Sequence, residues 1–317
     1  MPQDVFGATP PSLFASARSA GKVVATPYGD LTIEEFSEET VNERDFTFVF
    51  LAVSGSFSLT HAIPLTNNNK TYVIDNSSAY RYDDSVPLVV PEINLSAIKS
   101  SNKLIANPNC TTAIAAMALY PIHVEYGIKT LIISSYQATS GGGEKAMQEL
   151  LTGTRDHLDG KEVKNKMFAH PIPFNCIPCI DSLQDNGYTK EEMKVAWETR
   201  KIFDAPDVKI SVTAVRIPTI RAHSEAITIE TVKDVTADKV KELLATAIGV
   251  QVKDDVANAV YPMPLNCSGK DDVEVGRIRQ SLVFGDKGID LFVCGDQLLR
   301  GAALNAVLIA QALVKRG

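Results

Sequence analysis

No stretch of this sequence concentrates basic residues. Over 317 residues, 31 Lys and Arg face 38 Asp and Glu, a formal charge of −7. A phosphate backbone needs clustered cations to bind it, and the tight pair Arg200-Lys201 follows the acid Glu198. A nucleic-acid partner is not expected. Nor does any segment approach the ~20 apolar residues of a membrane span, so no membrane partner is expected either. The first residues lack the basic-then-apolar layout of a secretory signal. Five cysteines, Cys110, Cys176, Cys179, Cys267 and Cys294, are irregularly spaced, which does not suggest a disulfide framework and fits a reducing compartment. Cys176 and Cys179 form C-x-x-C, but no second ligand pair follows at zinc spacing, so no metal is expected. Repeats and low-complexity linkers are absent.

What remains is an ordinary globular composition, 45% hydrophobic and 22% charged, long enough for two domains. The first third alternates short β-branched runs with polar or helical stretches: FTFVFLAVSG, TYVIDNSSAY and KLIANPNC. That rhythm indicates a parallel α/β sheet. After Cys110 the pattern shifts. CTTAIAAMALYPI reads as a helix, TLIISSYQATSGGG as a strand ending in a glycine turn, and EKAMQELLTGTRDHL as another helix. Thr189 with Glu192 three residues later is a capping box, which predicts a helix over 190–203. In DVKISVTAVRIPT, Val208, Ile210, Val212 and Ala214 share one strand face. HSEAITIETV is a further strand, RQSLVFGDKGIDLFVCGD a hairpin, and RGAALNAVLIAQALV an amphipathic helix. The fold class is therefore α/β. A nucleotide-type domain is formed by residues 1–109 and 300–317, and an α+β domain with a mixed sheet, residues 110–299, is inserted between them.

Several residues have the chemistry of a site. Cys110, in ANPNCTTA, follows a strand and opens a helix, where the first-turn amides stabilise a thiolate. A buried, inert cysteine is the competing reading. Asn109 and Asn107 can pin the turn or donate to an oxyanion. Arg216 continues the parity of Val208 to Ala214, so a guanidinium emerges where an apolar face ends and must have a partner. That partner is a substrate carboxylate or a structural acid. His223, in RIPTIRAHSEA, reads alone as a structural histidine, and Arg216 nearby raises its interest. Glu198 and Lys201 share a helix face, as a solvated pair would. Gln137 ends a strand at a glycine turn.

Taken in order, ASARSAGK, VIDNSSAYR, PLVVPEIN, ANPNCTT, SSYQATSGGG, EEMKVAWETRKI, VRIPTIRAHSEA, DDVEVGRIR and CGDQLLRGAALNAV resemble the aspartate-β-semialdehyde dehydrogenase family, from about Ala15 to the C-terminal helix. CGDQ and NGYTKEEMK resemble the form shared by plants and part of the bacteria. The resemblance implies a Rossmann-like domain with a catalytic and dimerisation domain, NADP as cofactor, and reductive dephosphorylation of L-aspartyl 4-phosphate through a thioester on Cys110. It further implies that His223 is the general acid/base and that Gln137 orients the intermediate. Arg216 and Glu198 would hold the substrate's carboxylate and amino group. Arg81, Lys201 and Asn109 would bind phosphate, Ser16, Arg18 and Ser19 the 2′-phosphate, and Asn305 would lie near the nicotinamide. It implies a homodimer through the central domain, in the cytoplasm or a plastid stroma.

The chain departs from this family at its start. The family's first strand, G-x-x-G-x-x-G loop and first helix should precede SARSAG; here MPQDVFGATPPSLF stands in their place, with FGAT as the stump of a pyrophosphate loop. Arg300 stands where the family more usually has Lys. A homologue that keeps the substrate and dimer domain but is catalytically impaired is the rival reading. Another acyl-phosphate reductase fits less well, since a glyceraldehyde-type enzyme should show S-C-T-T-N at the cysteine.

Overall fold

The structure, a computed structural model, describes residues 9–316. Phe6 to Ala8 of FGAT therefore lie outside the described residues. The chain divides into two compact units. The first comprises residues 1–89, 95–107 and 306–317, and the second residues 90–94 and 108–305. The return crossing thus falls between Asn305 and Ala306, six residues beyond the 299/300 division read from the sequence, and Val90–Asn94 groups with the second unit.

In the first unit β1 (Leu13–Ala15) pairs in parallel with β3 (Gly29–Glu35), and β2 (Val23–Thr26) closes a hairpin on β3. A second three-stranded sheet, fully parallel, runs β4 (Phe48–Leu51), β5 (Tyr72–Asp75), β6 (Leu104–Ala106). The helices α1 (Glu38–Glu43) and α2 (Gly55–His61) are short and capped by Ser37 and Ser54. Ile74, Val89, Ile98, Ile105, Ile309 and Ala310 form this unit's core. β5 and β6 are buried as parallel strands should be, whereas β1 is half-buried along its whole length.

The second unit is built on one mixed sheet of six strands, in the order β10-β11-β12-β9-β7-β8. These are β7 (Ile128–Gln137), β8 (Lys209–Arg216), β9 (His223–Thr231), β10 (Val250–Val252), β11 (Val273–Gln280) and β12 (Gly288–Gly295). β7 and β8 are parallel; β9 is antiparallel to both β7 and β12. One sheet face carries Leu131, Ile133, Ile227, Ile229, Leu291 and Val293, all buried, and α3 (Cys110–Tyr126) lies against it. α4 (Glu144–Leu158), α5 (Lys190–Phe203) and α6 (Ala237–Ala245) are its other longer helices. The capping box at Thr189 and Glu192 forms with both reciprocal bonds and fixes the start of α5 at Lys190. The last helix, α7 (Leu304–Arg316), begins later than its amphipathic pattern suggests, because Leu299–Ala303 winds as a wider π-type turn.

Candidate active site

Strand register sets out the site. The last residues of β8 and β7, Arg216 and Gln137, stand opposite each other. His223, the first residue of β9, pairs with Gly295 at the end of β12. These strand ends form one row on the buried face, and all three side chains are buried. The glycine turn after β7 closes on the same row. A Cβ placed on Gly141 would lie 2.9 Å from Arg216 Nη1 and 3.3 Å from His223 Nε2, so only glycine lets the backbone come this close.

Cys110 is the first residue of α3, and Asn109 is its cap. The Asn109 side-chain oxygen accepts the N–H groups of Thr111 and Thr112 at 2.9 and 3.3 Å. Its Nδ2 donates to Glu191 Oε1 at 2.9 Å, and its backbone N–H donates to Glu198 Oε2 at 2.6 Å. Of the two roles open to Asn109, the geometry uses it to pin the turn. Asn107 donates to Asn76 Oδ1 at 2.8 Å within the first unit. Gly301, in the wide turn before α7, packs directly on Cys110: a Cβ there would meet the Cys110 Cβ at 2.7 Å.

Arg216 Nη1 donates to the Ala138 carbonyl at 2.5 Å, and its guanidinium lies 5.9 Å from the centre of the Phe168 ring. Burial pulls its pKa down, while the charges of Cys110 and Glu191 act in the opposite sense; the guanidinium is thus in electrostatic reach of the cysteine. His223 Nδ1 accepts the Ala138 N–H at 3.0 Å. With that nitrogen committed as acceptor, the neutral ring carries its proton on Nε2. Nε2 is buried with no hydrogen-bond partner among the described residues. Burial first, and the Arg216 charge second, hold the His223 pKa down to about 3.

The sequence left three contributors unnoticed. Glu191 accepts from Asn109 and, at 3.4 Å, from Gln137 Nε2, while its other oxygen pairs with Lys194 at 3.1 Å. Gly141 is the close-approach glycine described above. Gln297 accepts the Ala222 N–H at 2.8 Å and donates to Ser140 Oγ, tying the glycine turn to the residue before His223. Of the residues singled out in the sequence, Cys110, Gln137, Arg216, His223, Asn109 and Glu198 are brought together. Lys201 lies half-buried one turn beyond Glu198 on α5, and Asn305 is buried near the start of α7. Arg81 belongs to the first unit, where its Nη2 donates to the Asn76 carbonyl at 2.7 Å. Ser16 and Arg18 are exposed and Ser19 half-exposed in the turn after β1. No group of three or more possible metal-ligating side chains occurs among the described residues.

A parallel nucleotide-type sheet followed by a mixed-sheet unit with a cysteine at a helix tip defines the class, a two-domain nicotinamide-dependent dehydrogenase. The chain belongs to the semialdehyde dehydrogenase family: residues 3–101 match the model of its NAD binding domain and residues 119–300 that of its dimerisation domain. The aspartate-semialdehyde dehydrogenase of Aquifex aeolicus is 44% identical over 308 residues, covering 96% of this chain and 90% of that one. The Bacillus subtilis relative of the same name is 42% identical over 312 residues, covering 96% and 89%. A crystal structure of aspartate semialdehyde dehydrogenase II from Vibrio cholerae, complexed with ASA, superimposes with a TM-score of 0.90 at 37% identity, over 96% of this chain and 89% of that one.

Part of the first unit suits a dinucleotide. Ser16 and Arg18 offer a hydroxyl and a cation on the rim of a cavity of 1390 Å³, which suits a ribose phosphate. The pyrophosphate finds no family-type glycine cradle among the described residues, where Pro10 and Pro11 lead straight into β1. The adenosine end fits; the residues read as the pyrophosphate loop, Phe6 to Ala8, lie outside the described residues.

Proposed function

We propose that the chain carries the acyl-transfer chemistry of an aspartate-semialdehyde dehydrogenase, converting L-aspartyl 4-phosphate to L-aspartate 4-semialdehyde. What supports this reading is Cys110 at the capped tip of α3, in electrostatic reach of the buried Arg216, with His223 Nε2 beside the same glycine turn as Arg216. Negative charge on the sulfur is favoured by the first-turn amides and by the guanidinium. The sulfur attacks the acyl carbon and phosphate departs, leaving a thioester on Cys110. His223 keeps its hydrogen on Nε2 and presents it to the oxygen where negative charge develops. Gln137, anchored by Ser135 Oγ at 3.2 Å and by Glu191, orients the acyl group. Arg216 holds the substrate carboxylate and Glu198 its amino group, with Lys201, Arg81 and Asn109 receiving phosphate. When bound, a nicotinamide cofactor would supply hydride chemistry for the reduction. Ser16, Arg18 and Ser19 select NADP by its 2′-phosphate, and Asn305 serves the nicotinamide end.

The test is the reverse assay, phosphate-dependent NADP reduction with the semialdehyde, on the parent and on Cys110→Ser. Loss of turnover by several orders of magnitude in the variant is expected. Near-parental turnover would remove Cys110 as nucleophile.

Pro10 and Pro11, directly ahead of β1, favour a second reading, a chain that retains the acyl-transfer site but holds the dinucleotide poorly. Titration of NADPH separates the two. No binding at millimolar NADPH, with phosphate still bound, would select the second.

We also assign the homodimer contact to the mixed-sheet face opposite α3. There Ile132 and Tyr136 are exposed, and Tyr136 contacts Phe292 at 6.3 Å between ring centres. Ile132→Lys should shift the chain to monomer in sedimentation; an unchanged dimer would refute the assignment. Five cysteines outside any disulfide support a reducing compartment, the cytoplasm or a plastid stroma.

A further inference from the structure

Where β12 stops pairing with β9, side chains take over from the ladder. The pairing ends with His223 opposite Gly295, so Asp296 and Gln297 follow one strand while Ala222 and Arg221 precede the other. Gln297 accepts the Ala222 N–H at 2.8 Å, and Asp296 Oδ2 pairs with Arg221 Nε at 2.7 Å. The residue under these two holds has an unfavourable conformation. Ala222 has a φ of 70°, in the left-handed region where an L side chain crowds its own backbone. It is fully buried and immediately precedes His223. Such a conformation persists only where the surroundings over-determine it. Its dihedral sets the direction in which the chain enters β9, so a return to negative φ would re-aim the His223 ring.

Asp296 also holds the turn on the other side of the site. Its carboxylate is fully buried. Oδ1 accepts the N–H groups of Leu298 and Leu299 at 2.9 and 3.3 Å, and Oδ2 accepts that of Gly269 at 2.6 Å. The Asp296 carbonyl accepts the Gly301 N–H at 3.2 Å. Gly301 is the residue that rests on Cys110, where an added Cβ would meet the Cys110 Cβ at 2.7 Å. With Arg221, the two carboxylate oxygens face four donor groups, which matches their lone-pair capacity. The ladder itself ends at His223 and ties neither turn to the other. One buried anion does.

We propose that Asp296 is a positioning residue for the reaction. Through Arg221 it keeps Ala222 left-handed, and through the wide turn it keeps Gly301 against Cys110, so that His223 and the sulfur hold one spacing. This role rests on the reading of Cys110 and His223 proposed above, and Asp296 acts through its neighbours rather than on the substrate.

The test is Asp296→Asn, alone and combined with Ala222→Gly. Whichever way the amide turns, its NH2 faces donors that the carboxylate accepted, and Arg221 loses its counter-ion. In the semialdehyde assay Asp296→Asn should lower kcat by about tenfold or more, with KM changed less than about threefold. Glycine adopts positive φ readily, so adding Ala222→Gly should recover about threefold or more of that kcat. A merely structural role would lower kcat and the thermal midpoint together and would not respond to glycine. The crystal structure of Asp296→Asn, which needs no turnover, should show Ala222 at negative φ. A φ still near the parent's 70°, a kcat close to the parent's, or no recovery with glycine overturns the proposal. Should Asp296→Asn misfold by circular dichroism, Arg221→Gln, at a half-exposed position, takes its place with the same expectations. Parent turnover that survives Cys110→Ser would overturn the reading of the reaction instead, and the φ of Ala222 would still decide whether Asp296 holds the turn.

Discussion

His223 gives the most quantitative handle on the site. Its ring is fully buried beside Arg216 and accepts the Ala138 N–H, and its pKa is held at about 3 against an ordinary value of 6.5. A base whose pKa is depressed on folding takes up more protons unfolded than folded between those two values. Stability is therefore complete above pH 6.5 and falls as pH drops toward 3, by as much as ~1.4 kcal/mol per pH unit. Between pH 7 and pH 4 this one residue accounts for about 3 kcal/mol. His223→Asn keeps an acceptor for the Ala138 N–H and a donor on its other atom but cannot titrate. The assay is urea unfolding followed through Trp197, the single tryptophan, which lies in α5 of the same unit. With an m-value of about 2 kcal/mol/M, the parent's midpoint should fall by about 1.5 M more than the variant's over that interval. Glu225, also fully buried and pushed well above the carboxylate range by burial, is common to both proteins and cancels in the comparison. Parallel midpoint curves for parent and variant would refute the reasoning, because His223 would then not be buried as a neutral base.

Three further outcomes follow from the geometry. Gly141→Ala places a methyl group 2.9 Å from Arg216 Nη1 and 3.3 Å from His223 Nε2; steady-state kinetics should show turnover reduced at least tenfold, about 1.4 kcal/mol, and unchanged turnover would contradict the close approach. Arg216→Lys removes the planar fork and should raise the KM for the semialdehyde by about 10- to 100-fold, with a smaller effect on kcat; an unaltered KM would take Arg216 out of the substrate site. Thr189→Ala removes the α5 cap bond to Glu192 N and should lower stability by about 1 kcal/mol, or ~3 °C in Tm by calorimetry; an unshifted Tm would show the cap to be dispensable.

The parts of the fold that were legible are those with local causes. The Thr189–Glu192 box places α5 correctly because both partners lie within one turn. The alternation from Val208 to Arg216 gives the buried face of β8 for the same reason. Glu191 was illegible. In sequence it is one more acid in a helix's first turn, a favourable place for any carboxylate. Its role depends on Asn109 and Gln137, which lie 82 and 54 positions away. Gly141 is one of three consecutive glycines, and only the approach of Arg216 and His223 distinguishes it. The start of α7 was misplaced because RGAAL continues the helical pattern, whereas Gly301 must come against Cys110 and the chain winds wider to bring it there.

The charges at the site explain why its residues are held so tightly. Arg216, Glu191 and Glu198 are all nearly or fully buried, and a buried charge is tolerated only where hydrogen bonds replace the lost water. Each is partly satisfied by the backbone or by a neighbour. Glu198 takes the Asn109 N–H, Glu191 takes Asn109 Nδ2 and Lys194, and Arg216 gives one N–H to the Ala138 carbonyl. Ala138 answers both ways, its carbonyl fixing Arg216 and its N–H fixing the tautomer of His223. One peptide unit after β7 therefore sets the orientation of the cation and of the proton donor together. A displacement of this turn would disturb both at once, and Gln297, through Ser140 and Ala222, ties its far side to the residue before His223. The hydrogen bonds of that turn, rather than any single side chain, thus orient the groups proposed to serve acyl transfer at Cys110.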